Sequence, residues 1–377
     1  MSNIKQRRGR VILSVLAVIS FLLVLCSTDA AIEYMKKGLS LCASSVIPSL
    51  FPFMVISEII VSSGVGVRIS RLFAKPMRYL FGVSEAGAAV YILGAVCGFP
   101  IGAKTAVSMY EKGIMTKPEV ERLMTFCNNP GSAFVISAIG VSLLGSKKIG
   151  ILLYICIILS SVIVGMLGKY FWRDRKKSFL QAPMLIPCEL DVKTVTSAVS
   201  SSALSMLTVC AYVTFFSALV GCLGSLLSHF SLPNEILACI FGFFELSSGV
   251  GTAAELGNPL HATLFCALFS GWSGLSVHFQ IMTVCSSRDI SCKPYIIAKA
   301  VQSVICAALM MLLMKTKIFN PNTDITLPNA PTYSHGFLLS SLTALVTFVA
   351  VIVIVVAVQI KKISCKKNPS FGTKKEK

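Results

Sequence analysis

The sequence predicts an all-α polytopic membrane protein with about eight transmembrane helices and two re-entrant hairpins, arranged as two inverted repeats. Three observations lead there. Of 377 residues, 55% are hydrophobic and only 13% are charged, with a mean hydropathy of +0.79; a soluble domain carries about 25% charge to cover its water-facing surface. Several apolar runs reach the ~20 residues that cross a bilayer core. The basic residues sit in short blocks between those runs, as topology signals do.

The elements follow in order. Val11–Cys26 is the first span. A polar-faced stretch leads into a second span ending near Ser63 and interrupted by Pro48 and Pro52, followed by the basic segment Arg68, Arg71, Lys75 and Arg78. The Gly-rich stretch Glu85–Ala103 precedes a more polar helix through Arg122, and Ser132–Gly145 and Ile149–Trp172 cross next. A linker with Pro183 and Pro187 separates the halves. The second half crosses at Ser201–Leu227, has a Gly-rich stretch Ile236–Gly257, and crosses again at Ala262–Cys285 and Tyr295–Met314. A polar loop with Pro321, Pro328 and Pro331 comes before the last span, Phe337–Ile360, and a Lys-rich tail.

The resulting organisation is an N-terminal helix (1–30), a first repeat (31–172), a cytoplasmic linker (173–194) and a second repeat (195–318). An outside loop (319–336), a last helix (337–360) and a basic cytoplasmic tail (361–377) complete it. With the N-terminus inside and both Gly-rich stretches re-entrant, all but six of the 34 Lys and Arg fall on the cytoplasmic side; the exceptions are Lys36, Lys37, Lys147, Lys148, Lys315 and Lys317. Turning either Gly-rich stretch into a full span throws later basic blocks to the wrong side. Both termini are therefore expected in the cytoplasm. The basic start, apolar run and small residues Ser27, Thr28, Ala30 and Ala31 also fit a cleaved leader, an alternative that leaves the downstream topology unchanged. Leu25 before Cys26 is too large for a good lipoprotein cleavage site.

Other classes fit poorly. A formal charge of +18 suggests nucleic acid only when basic residues share a folded face, and here they are dispersed. Fourteen cysteines include no C-x-x-C pair and lie mostly in apolar runs, where Cys packs as a small hydrophobe. The four histidines lack metal-ligand spacing, and H-E-x-x-H, G-x-S-x-G and the P-loop pattern do not occur. The sequence thus points away from an enzyme and gives no sign of a cofactor or metal.

The halves resemble each other. Each opens with a serine-led run into a span (Ser44-Ser45-Val46; Ser200-Ser201-Ser202). Each continues to a Gly-rich stretch (Tyr91–Ala103; Ile240–Gly251), then to a phenylalanine followed by small polar residues (Phe126–Ser132; Phe269–Gly274). The computed orientations of the leading spans are opposite, so the repeats are inverted. Inverted repeats broken at equivalent places point to a solute site at the bilayer midplane.

Those breaks carry the chemistry. A span interrupted by Gly, Pro and Asn leaves backbone groups unpaired, which is tolerated only where they line a cavity or are buried in protein. Freed helix N-termini favour anions. The candidate substrate-binding residues are Gly98, Phe99, Pro100, Gly102 and Lys104 in the first stretch and Asn128, Asn129, Pro130, Gly131 and Ser132 at the first break. Glu245, Ser247, Ser248 and Gly249 form the second stretch, and Ser270, Gly271 and Ser273 the second break. Ionisable groups at membrane depth are expensive and mark function by default; Glu245, between aromatic residues, has no escape to water. Glu58 either functions or snorkels to the inner face, Lys104 either binds an anion or marks topology, and His278 reads as a packing residue.

Three runs carry a family likeness: Ile47-Pro-Ser-Leu-Phe-Pro-Phe53, Cys97-Gly-Phe-Pro-Ile-Gly-Ala-Lys104, and Glu121-Arg-Leu leading to Phe126-Cys-Asn-Asn-Pro-Gly131. Over roughly 40–315 the chain resembles the YlbJ-type sporulation integral membrane proteins, more loosely in its second half. That family belongs to the gate, or nucleoside-recognition, superfamily, with the concentrative nucleoside transporters and spore maturation membrane proteins. The resemblance implies a role in carrying dipicolinate, a small aromatic dianion, across the membrane surrounding the developing spore. It also implies that substrate meets the hairpin tips and following broken helices. A nucleoside carrier and a non-transporting scaffold for spore assembly are the alternatives, and a coupling ion and homo-oligomer remain open.

Overall fold

The structure is a computed structural model that describes residues 2–64, 70–171 and 191–316, and every regular element in them is helical. Arg68, the linker prolines, the loop 319–336, the span expected at Phe337–Ile360 and the tail lie outside the described residues.

The chain opens with α1 (Ser2–Cys26) and α2 (Thr28–Leu41); the apolar part of α1 meets the following helix at 101°. A π-turn leads into α3 (Ile47–Ser62), which takes Pro48 in its first turn and Pro52 inside. The first Gly-rich stretch is a pair of helices, α4 (Gly87–Cys97) and α5 (Ile101–Glu111), followed by α6 (Lys117–Met124). Thr116 and Glu119 close a capping box at the start of α6, which explains the helix boundary at Thr-Lys-Pro-Glu. Beyond the break come α7 (Phe134–Leu143), wound as a π-helix, and α8 (Lys147–Phe171). The second half comprises α9 (Val192–Leu227), α10 (Asn234–Phe244), α11 (Leu246–Ala254), α12 (Pro259–Trp272), α13 (Gly274–Ser286) and α14 (Lys293–Met314).

Four of the described stretches are long and apolar enough to cross a bilayer: Lys147–Tyr170, Val192–Phe230, Pro259–Ser286 and Lys293–Met314, with the bent pair a fifth. Seven of the eight spans expected from hydropathy fall within the described residues, so this is fewer than expected there. At 1.5 Å per residue the 16 residues of α3 reach about 24 Å, short of a ~30 Å core, and the ten of α7 reach less. Apolar composition sets the candidates; helix length leaves these two short of a straight crossing.

Both Gly-rich stretches fold back on themselves. In a continuous helix Gly94 and Gly102 would stand about 12 Å apart; instead a β-carbon on Gly94 would lie 3.0 Å from the Cα of Gly102. The reversal uses Gly98, whose φ of 87° belongs to the region that favours glycine. Likewise a β-carbon on Gly249 would collide with Gly242, so α10 and α11 double back at Glu245. Each hairpin grips the segment that follows it: the Cys127 carbonyl fits between Gly94 and Gly102, and the Phe269 ring between Gly242 and Gly249. α2 lies along α9 through small residues, with Gly38 against Ser217 and Gly221 against Tyr34. Trp272, Tyr295, Phe126, Phe265 and Phe269 fill the interior behind the hairpins.

Candidate functional site

The two hairpin tips and the two helix breaks converge on one cavity of about 50 Å³. Phe99 comes from the first tip, Gly131 and Phe134 from the first break, and Glu245, Leu246 and Ser247 from the second tip. Ser276, Val277 and Gln280 follow the second break, while residues 46–50 and α9 (Val209, Val213) close the remaining sides. These elements are held together by backbone contacts. The Phe99 amide donates to the Asn129 carbonyl at 2.9 Å, and side chains on Gly98 or Gly131 would collide with the opposite strand of backbone. A β-carbon on Gly274 would lie 3.2 Å from the Cα of Glu245, the same tip-to-break contact in the second half.

Glu245 caps its own helix. Its carboxylate accepts from Ser247 N at 3.0 Å and from Ser248 N and Oγ at 2.6 and 2.9 Å. The amides expected to meet an anion at α11 are therefore taken by a built-in carboxylate, a strong arrangement because acceptor charge and helix dipole act together. α5, α7 and α13 begin at the other tip and the two breaks without a side-chain cap. Their N-terminal poles are left for whatever occupies the space they face.

Two polar groups in the wall lack partners. Ser276 and Gln280 are 1% and 2% exposed, and Ser276 Oγ and Gln280 Oε1 have no hydrogen bond among the described residues. Leaving such atoms buried and unpaired costs about 1–3 kcal/mol each, which a polar solute or water would recover. Neither residue was selected from the sequence. The signal available was a Ser-Val-His-Phe-Gln run, 276–280, whose polar residues fall one turn apart inside an apolar span.

Of the sequence-selected residues, Phe99, Gly131, Glu245 and Ser247 line the cavity. Gly98, Pro100 and Gly102 shape the first tip, and Ser132 Oγ ties the first break to α4 through the Val96 carbonyl at 3.1 Å. Pro130 lies within that break. Ser248 and Gly249 build the second tip. Ser273 adopts φ 75° at the α12–α13 break and donates to the Ser270 carbonyl at 3.3 Å, Gly271 packs on the backbone of Ser303, and Ser270 Oγ is buried without a partner among the described residues.

Lys104 stands apart from this group, on α5. Its ammonium pairs with Glu58 at 3.1 Å and donates to Ser201 Oγ at 2.9 Å, linking α5 to α3 and α9. Glu58 thereby has an internal partner. His278 meets Tyr295 OH at 2.9 Å and stands edge-on to Trp272, in keeping with a packing role.

Neither Asn128 nor Asn129 lines the cavity. The Asn128 side chain donates to the Met124 carbonyl at 3.3 Å, with its Oδ1 buried and unpartnered among the described residues. The Asn128 carbonyl and the Asn129 side chain join a buried network that reaches across to the second half. Asn129 Oδ1 accepts from Gln302 Nε2 at 2.7 Å; Lys299 Nζ donates to the Asn128 carbonyl at 3.1 Å and to Gln302 Oε1 at 2.9 Å. Lys299 is 1% exposed. From sequence it reads as a cytoplasmic basic residue near the start of a span, because nothing in the linear pattern shows the Asn-Asn break folding against it.

With this geometry in view, comparison with known proteins gives one informative match. The sporulation integral membrane protein YlbJ of Bacillus subtilis (strain 168) is 28% identical over 341 residues, covering 80% of this chain and 83% of the relative. The chain resembles the YlbJ type of sporulation integral membrane protein. No family model matches, and no solved structure matches. The chain is an integral membrane protein, and its likeness to the relative covers 80% of its length.

Proposed function

We propose that this protein is a carrier for a small anionic solute, with dipicolinate as its substrate, in the membrane that surrounds the developing spore. The observation that carries the reading is the convergence of both hairpin tips and both helix breaks on one cavity with unpartnered polar groups in its wall. Backbone breaks of this kind persist in a bilayer where they line a solute path. Two helices that begin at the breaks without a side-chain cap, α7 and α13, line the cavity, against a single carboxylate whose charge is already spent on α11. That balance favours an anion. The sporulation setting comes from the printed name of the Bacillus relative.

The architecture belonging to this reading has eight spans, two re-entrant hairpins and two inverted repeats, with both termini cytoplasmic. Supporting it, Gly94/Gly102 around Cys127 and Gly242/Gly249 around Phe269 are the same construction at matching places. The protein acts as a carrier, without catalysis. Purified protein should melt at higher temperature in dipicolinate, since a ligand bound only by the folded state adds about 2.7 kcal/mol at a hundred times its Kd. Stabilisation by nucleosides and none by dipicolinate would transfer the assignment to a nucleoside carrier; no stabilisation by either would count against a solute site.

A further inference from the structure

We propose that Lys299 is the coupling site of this carrier: a tethered amine that takes up a proton with the solute and releases it on the other side. This rests on the transport reading and adds its driving ion.

Lys299 lies on α14, in a stretch long and apolar enough to span the bilayer, and is 1% exposed. No carboxylate among the described residues lies within ion-pairing distance of it, whereas Lys104, Lys117 and Arg288 all have such partners. An unpaired ammonium at this depth is expensive. Among the described residues its hydrogen-bond partners are two, the Asn128 carbonyl and Gln302 Oε1. A neutral amine has two N–H donors and an ammonium three. The two acceptors match the two N–H donors of the neutral form, and protonation adds one donor and one positive charge that nothing among the described residues answers.

An incoming anion answers the charge. Lys299 holds the first residue of the Asn128–Gly131 break, and the last residue of that break lines the cavity. Asn129 is held from both sides, by Gln302 at its side chain and by Phe99 of the hairpin tip at its carbonyl. A change at the amine is thus two residues of rigid, side-chain-locked backbone from the solute. The step is a simple transfer: a proton from water on one face forms the third N–H bond, and on the other face that bond breaks and the proton returns to water, leaving the amine.

The surrounding titratable groups offer no carboxylate counter-charge. Cys127, Cys306 and the His278 ring of α13 stand close enough to interact electrostatically with Lys299, and Tyr295 lies one turn away, bonded to His278. α8 carries Cys156, whose thiol meets Met310, and α12 carries His261 and Cys266. On α6, Glu119 accepts from Ser84 N and Thr116, Glu121 accepts from Ser291 N, and Arg122 donates to the Gly82 carbonyl.

The test uses full-length protein in liposomes loaded with a pH-sensitive dye and presented with labelled dipicolinate. One pH unit, acid outside, is worth about tenfold in accumulation for one proton carried. Wild type should accumulate dipicolinate in response to that gradient and acidify the lumen as it does so. Lys299→Gln and Lys299→Arg, one never charged and one never neutral, should each lose the response to the gradient. Uptake by wild type that ignores the gradient, or a response retained by either variant, overturns the proposal and leaves the carrier reading intact. Absence of uptake by wild type removes both. If either variant fails to fold, the wild-type gradient response and the other variant still decide the matter.

Discussion

The amide of Phe99 donates to the carbonyl of Asn129 across 2.9 Å, so the tip of the first hairpin and the break of the following helix share a backbone hydrogen bond. The cavity is built on that bond and its surroundings. Gly98 and Gly131 are in contact immediately beside it, and a side chain at either must push the tip off the break. Gly131→Ala or Gly98→Ala is expected to destabilise the protein by about 1–3 kcal/mol, and Gly98→Ala also carries the strain of φ 87°. Thermal unfolding in detergent measures the effect; Gly113→Ala, where an added β-carbon meets nothing within 4 Å, isolates the cost of positive φ alone.

Gln280→Leu separates binding from stability. It removes a buried amide whose oxygen has no partner among the described residues, so the melting temperature should hold or rise. Solute binding should fall at least tenfold, the worth of about 1.4 kcal/mol. A coupled loss of both properties would mark Gln280 as a structural residue.

Glu245→Gln changes charge with little change of shape. The cap on α11 weakens, at a cost of about 1 kcal/mol, and the cavity loses its negative charge. Affinity for a dianion should then increase while stability falls. Weaker binding of the anion would show that Glu245 serves the solute through a proton or a cation.

The Glu58–Lys104 pair is about one-fifth exposed on each side chain and should be worth about 1 kcal/mol in a double-mutant cycle. Lys104→Gln and Glu58→Gln are expected to impair the protein to similar degrees, and the double variant no more than either. A drop in dipicolinate uptake confined to Lys104→Gln would return Lys104 to the solute path.

Much of this was legible in the sequence because the breaks are written in residue chemistry. Gly98, Asn128–Gly131, Glu245 and Ser273 each sit where a helix stops, and Gly98 and Ser273 carry the φ values that only a break requires. Span number was less legible. Hydropathy counts apolar residues, but α3 and α7 are too short to cross straight, and α1 and α2 meet at a sharp bend. The tertiary pairings were not legible at all. Lys104 finds Glu58 and Ser201 on two other helices, and Lys299 reaches the carbonyl of Asn128 from 171 residues away. Such partners depend on packing, and a basic residue looks the same in sequence whether it marks a membrane face or sits inside a protein.

Uptake of labelled dipicolinate into liposomes that contain the purified protein tests the central claim most directly. The account predicts saturable uptake above that of protein-free liposomes, lowered about tenfold by Gln280→Leu at subsaturating dipicolinate and equal protein content. Uptake no greater than in protein-free liposomes, or equal uptake by wild type and Gln280→Leu, would contradict it.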